Sequence, residues 1–183
     1  MSSEHATFLA ALRDYFRGEK RESLVILVAS SGLLAVGIGA IAIVGGPFAR
    51  GLGIVVIATA LVGAVVGATI VLRTDRQVAS LVDLWNSDRD RFAAEEGPRI
   101  GTVVRSFRLY RAVYAGATIA AILLLLLTDA PLAHGVAWGL LIFAGSGFTV
   151  DHFAESRAIR YAAQVRAQSA LAPDLLTTRR ESP

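Results

Sequence analysis

The residues best placed to do chemistry lie in one short run, Asp151-His152-Phe153-Ala154-Glu155. Asp151 and Glu155 are related as i, i+4, and His152 and Glu155 as i, i+3. On a helix, two carboxylates and an imidazole then fall within about one turn. A carboxylate–histidine pair at that spacing is how metal sites in helix bundles are built. One such cluster supplies too few ligands for a tight site. Glu19, Glu22 and Asp75 are the further acids that neighbouring helices can bring to the same level. The same side chains also suit a polar cap that pairs with Arg73, Arg76 or Arg111. Metal or proton binding, catalysis and plain ion pairing therefore stand as alternative uses of Asp151, His152 and Glu155.

Little else competes for a chemical role. The chain has no cysteine, which excludes thiol redox chemistry, thiolate metal sites and disulfides. His134 and His152 are 18 residues apart, ~27 Å along a helix, too far to act together. Nucleotide and cofactor motifs are absent, and no cofactor is expected. The polar atoms inside the apolar stretches are the hydroxyls of Ser30, Ser31, Thr59, Thr69, Thr118, Ser146 and Thr149, which commonly bond their own backbone. An ion-coupled transporter normally keeps an ionisable group at mid-membrane, and these stretches offer none.

The elements that must position the cluster follow from composition. Of 183 residues, 54% are hydrophobic and 18% charged, against about 25% charged in a soluble domain. Residues 24–46, 51–72 and 112–128 carry no acidic or basic side chain and no histidine. With 133–150 they make four stretches near the ~20 apolar residues that cross a bilayer core. Leu123 to Leu127 are five consecutive leucines, so the third stretch is apolar all round, unlike a soluble amphipathic helix. The first reads as a retained anchor despite the small-x-small Ala40-Ile41-Ala42, because its apolar run exceeds that of a signal peptide. The expected fold is all-α: a polytopic membrane protein with four transmembrane helices in two tandem hairpins and long cytoplasmic helical extensions. Its segments are an amphipathic leader (1–22), hairpin 1 (23–72), a cytoplasmic helical hairpin (73–111), hairpin 2 (112–158) and a C-terminal helix end and frayed tail (159–183).

Charge placement orients these elements. The net charge of +3 is too small to imply nucleic acid. If both termini are cytoplasmic, 17 of the 18 basic residues fall on one side, as the positive-inside rule requires. The other side holds only turns, expected at Pro47-Phe48-Ala49-Arg50 and Asp129-Ala130-Pro131-Leu132. Arg105, Arg108 and Arg111 lie next to the third span, where each can attract anionic headgroups by ~1 kcal/mol. Topological signalling by the same three residues is the plainer use.

On the cytoplasmic side, Phe8, Leu9, Leu12, Tyr15 and Phe16 share one helical face. That face suits either the membrane interface or docking onto the protein's own helices. Val78, Leu81, Val82 and Trp85 form a second stripe, and Ile100, Val103, Val104 and Phe107 a third. Gly97-Pro98 is expected to break the helix between them, and the second and third spans to extend as long helices joined near residues 86–98. Residues after Pro173 are expected to fray.

Sliding the chain by 84 residues lays Pro47, Gly51, Gly63, Arg73 and Arg76 on Pro131, Gly135, Gly147, Arg157 and Arg160. This predicts a duplicated hairpin with parallel repeats. Gly63 with Gly67, and Gly135 with Gly139, supply the close helix approach that packing in lipid needs, within one chain or in a homo-oligomer.

Tyr15-Phe16-Arg17-Gly18-Glu19-Lys20-Arg21-Glu22, Ala133-His134-Gly135-Val136-Ala137-Trp138-Gly139-Leu140 and the 151–158 run resemble a group of small uncharacterised bacterial four-helix inner-membrane proteins. The resemblance spans most of residues 10–160 and implies the inner membrane as the location, with no activity attached. The functional expectation is a non-enzymatic scaffold or accessory subunit that contacts lipid and a protein partner on the cytoplasmic side. The alternative is a small membrane enzyme or metal-dependent protein that uses Asp151, His152 and Glu155.

Overall fold

The computed structural model describes residues 3–178. They form four long helices: α1 (Ser3–Gly39), α2 (Gly46–Ser87), α3 (Arg89–Leu127) and α4 (Pro131–Thr178), with α1 continued by a π-helical turn, Ala40–Val44. No strand occurs among the described residues. Each helix is long and apolar enough to cross a membrane. At 1.5 Å per residue, the 42 residues of α2 reach ~63 Å, about twice a bilayer core of ~30 Å. Roughly half of each helix therefore projects beyond the lipid, all at the end that carries the basic residues, called the polar end below.

The joints fall where local chemistry ends a helix. Between α1 and α2, Gly45 and Gly46 take positive φ of 69° and 78°, a region closed to most side chains. Pro47 follows inside the first turn of α2, where its missing N–H costs nothing. The turn thus lies two residues before the expected Pro47–Arg50 position. Between α3 and α4, Ala130 N donates to Thr128 Oγ1 and the His134 ring bonds the Thr128 carbonyl. Pro131 opens α4 as Pro47 opens α2.

The third joint corrects the expectation at Gly97-Pro98. α3 runs through both residues, and the break is at Asp88, inside the expected 86–98 joint but at its near end. Asp88 is extended (φ −151°, ψ 96°), and its carboxylate accepts from Arg91 N, capping α3. Pro98 removes a single helical donor. Phe92, Glu96 and Ile100 pack on either side of it, each at most 2% exposed, and hold the helix straight through. At the far end, α4 stays helical through Pro173 to Thr178; the remainder of the expected frayed tail lies outside the described residues.

Packing differs sharply between the two halves. No span window has more than 22% of its residues buried, so most of the span surface is apolar, as contact with a bilayer requires. The large buried side chains gather instead at the polar end. Phe8, Leu12, Tyr15 and Phe16 of α1 meet Leu81 and Trp85 of α2, Phe92, Ile100 and Phe107 of α3, and Tyr161 and Val165 of α4. The leader is thus not a separate interfacial helix. It is the first part of α1 and docks on the other three extensions. Trp85 stacks near Phe8 at 4.1 Å between ring centroids, and Tyr15 lies on Tyr161 at 4.5 Å. Each fully buried large apolar side chain contributes about 1.5–3 kcal/mol in water, a force absent between helices in lipid.

Within the spans, small residues set the contacts. Gly37 and Gly53 bring α1 and α2 together, where a Cβ on Gly53 would lie 2.7 Å from the Gly37 carbonyl oxygen. Gly51 and Gly135 bring α2 and α4 together. α3 packs along α4, and meets α2 little beyond their shared turn.

Candidate functional site

Between the buried polar-end core and the spans lies a belt of ion pairs. Lys20 Nζ donates to Asp75 at 2.6 Å and Arg73 to Glu19 at 3.3 Å, tying α1 to α2. Arg157 grips both oxygens of Glu22, tying α4 to α1. Arg111 donates to Glu155 at 2.7 Å, tying α3 to α4. These residues are adjacent because four helices leave the lipid together, each carrying its first charges at the same level.

The belt accounts for most of the expected cluster. Glu155 is held by Arg111, one of the partners expected for it. Asp151 instead accepts a hydrogen bond from the Tyr114 hydroxyl at 2.7 Å. His152 is exposed, with its ring against Phe148 and Phe153. Asp151, His152 and Glu155 line one small cleft of about 30 Å³ with Phe107, Arg111 and Phe148. Among the described residues, no group of three histidine, aspartate or glutamate side chains is arranged to hold a metal ion. Glu19, Glu22 and Asp75 do not join the cluster, because each pairs with a cation of its own.

The other expected site residues divide. Arg105 donates to Thr102 and Arg111 to Glu155, while Arg108 is exposed beside them. The four packing glycines all lie at helix contacts within the chain. Gly63 faces Ser30 and Gly67 faces the Ser23 carbonyl, so both seat α2 on α1. Gly135 faces the Phe48 carbonyl and Gly139 faces Val55, so both seat α4 on α2.

Two features were not expected from sequence. The first is a buried charge in the polar-end core. Glu96 is 1% exposed and accepts two bonds from Arg99, at 2.5 and 2.6 Å. Burial works against the Arg99 charge, but the Glu96 carboxylate more than offsets it and the guanidinium pKa is raised. Arg99 also lies over the Phe16 ring at 5.5 Å. Burial pushes the Tyr15 phenol up to about 12, helped by the Glu19 charge, and burial likewise raises Tyr161.

The second is a cleft of about 240 Å³ between the spans. Its apolar lining includes Val25, Leu33, Val62, Val66, Phe143 and Val150, with Ser30, Thr59 and Ser146 along it. Tyr114 and Asp151 close it at the polar end. The hydroxyls of Thr59 and Ser146 bond their own helices, as the sequence leads one to expect. Asp151 is the sole ionisable carboxylate on the lining. Its position at the end of an apolar run gives no sign that it faces inward; the signal is Tyr114, whose ring fills the space left by Gly147.

No family model matches the chain, and neither a curated protein nor a solved structure is detectably similar to it.

Proposed function

We propose that the protein is a non-enzymatic subunit of the bacterial inner membrane that presents a rigid helical bundle to a protein partner in the cytoplasm, with both termini on that side. The carrying observation is where the packing lies. The large buried side chains are gathered in the extensions beyond the lipid, and the ion-pair belt fixes them to the spans. A surface held this firmly loses little conformational entropy on binding. Charge placement supports the orientation, with Arg50 the one basic residue on the opposite side.

A duplicated hairpin also belongs to this reading. The contact between Gly51 and the Leu132 carbonyl is mirrored by that between Gly135 and the Phe48 carbonyl, and both pairs are related by the 84-residue offset. Buried Gly37, Gly53 and Ala60 correspond to buried Ala121, Ala137 and Ala144. Gly63 against Ser30 corresponds to Gly147 against Tyr114.

The test is purification in mild detergent from cells expressing the wild type, His152→Ala, or the double variant Asp90→Lys, Glu95→Lys at the tip of the bundle. A stoichiometric partner kept by His152→Ala and lost by the tip variant is the expected result. A protein that purifies alone, or loses its partner or its cellular phenotype with His152→Ala, overturns the reading in favour of a site at Asp151, His152 and Glu155.

A further inference from the structure

The cleft between the spans combines three features that ordinary helix packing does not require together. It is apolar along its length, it ends on a carboxylate, and that carboxylate has no cation. Asp151 accepts only from the neutral Tyr114 hydroxyl, and no ion pair to it occurs among the described residues. The acids that act on it, Glu155 and Glu22, carry negative charge too, and their arginines are turned to them. Every other acid in the belt is matched to a lysine or arginine. A carboxylate at the edge of an apolar slot without a counter-ion leaves a local need for positive charge.

The walls beside Asp151 indicate the form that charge should take. The Tyr114 ring lies next to Asp151, and Phe143 lines the cleft about 12 Å further along α4, its ring centroid 5.6 Å from that of Tyr114. Aromatic faces beside a carboxylate recognise quaternary or alkylated ammonium groups, whose charge is spread and weakly hydrated. The rest of the lining, from Val66 to Leu33, offers an apolar path of the kind an alkyl chain occupies. At about 240 Å³ the cleft is just below the usual ligand range of ~300–1,000 Å³, which favours a slender ligand over a bulky one.

We infer that this cleft binds a lipophilic cation, with an ammonium head at Asp151 and Tyr114 and an alkyl tail that runs past Phe143 among the span side chains. Tyr114 orients the carboxylate by its hydrogen bond, and Asp151 supplies the charge. This site is independent of the partner surface at the tip of the bundle.

The test is equilibrium dialysis of the full chain in phosphatidylcholine nanodiscs against radiolabelled octyltrimethylammonium, with empty nanodiscs as background. The expected result is saturable binding that the uncharged isostere 2,2-dimethyldecane does not displace. Asp151→Asn keeps an acceptor for Tyr114 but removes the charge, and should weaken binding at least tenfold. Ser146→Phe fills the cleft from its wall and should abolish binding. Glu95→Gln, at the far tip, makes the same change in net charge and should leave binding unaltered. Binding no greater than to empty nanodiscs overturns the inference. So does full affinity in Asp151→Asn, or displacement by the neutral isostere, either of which makes the cleft a seat for an acyl chain.

Discussion

Replacing Gly135 by alanine tests how the two halves of the molecule are joined. A Cβ at Gly135 would stand 2.0 Å from the Phe48 carbonyl oxygen and 2.8 Å from Leu52 N. Both are backbone atoms of α2, so no rotamer change can make room. Ordinary contact begins near 3.4 Å, so α2 and α4 must separate by more than an ångström. A gap of 0.5–1 Å forfeits a quarter to a half of each dispersion contact, and between helices in lipid no hydrophobic force closes it again. Overpacking of this kind costs about 1–3 kcal/mol, and the backbone clash places Gly135→Ala at the upper end. Gly51→Ala forces the same separation from the other side, because its Cβ would lie 2.2 Å from the Leu132 carbonyl oxygen. Once one alanine has parted the helices, the second adds little. The double variant should therefore cost about as much as either single one, a coupling of about 3 kcal/mol. Gly116, with nothing within 4 Å of its would-be Cβ, is the contrast: alanine there should be neutral or stabilising by up to ~1 kcal/mol. The assay is reversible unfolding in mixed micelles by added dodecyl sulfate, followed by tryptophan fluorescence and circular dichroism. Gly135→Ala within about 0.5 kcal/mol of wild type, or strict additivity with Gly51→Ala, would refute the reasoning.

Three further predictions concern the polar end. Trp85→Ala should cost about 3–5 kcal/mol, since the ring is 2% exposed between Phe8 and Phe92; trypsin should then cut at Arg13 and Arg17 while the spans remain inserted. Glu96→Gln should destabilise the bundle by about 2 kcal/mol, the worth of a hydrogen bond to a charged group, seen as a lower melting temperature of the extensions, with the ion-pair belt unaffected. Tyr15 should resist ionisation in alkaline titration followed at 295 nm. Its folded pKa of about 12 lies above the unfolded value of ~10, so its contribution to stability is complete below pH ~10 and is lost as pH rises toward 12; tyrosinate absorbance from Tyr15 at pH ~10 without unfolding would contradict that burial.

The sequence carried the spans and the stripes because both are one-dimensional signals. Runs such as 51–72, free of charge for a full bilayer width, have no other stable use. The Phe8, Leu12, Tyr15, Phe16 face and the Leu81, Trp85 face have the helical period, and the structure packs them together. Gly97-Pro98 misled because propensity is a weak prior: the buried side chains of α3 on both sides outweigh one missing donor. The true break was written in Asp88, a good cap, but so are several other aspartates. Pairings were beyond reach for a different reason. Glu22 with Arg157 spans 135 positions, and Glu155 with Arg111 spans 44. Nothing local distinguishes Arg111 from Arg73 or Arg76 as the partner of Glu155.

Composition and periodicity therefore determined that four helices cross a membrane, that their extensions bury an apolar face, and that one end carries the charge. These follow from transfer free energies and the helical repeat, which act residue by residue. Tertiary structure alone decided which acid meets which base, that Asp151 turns into a cleft beside Tyr114 while Glu155 turns to Arg111, and that Glu96 is buried. Those outcomes depend on the rotation of each helix about its axis. That rotation is set jointly by glycine contacts such as Gly51 on Leu132 and by the bundle core around Trp85 and Tyr161, and no single segment contains it.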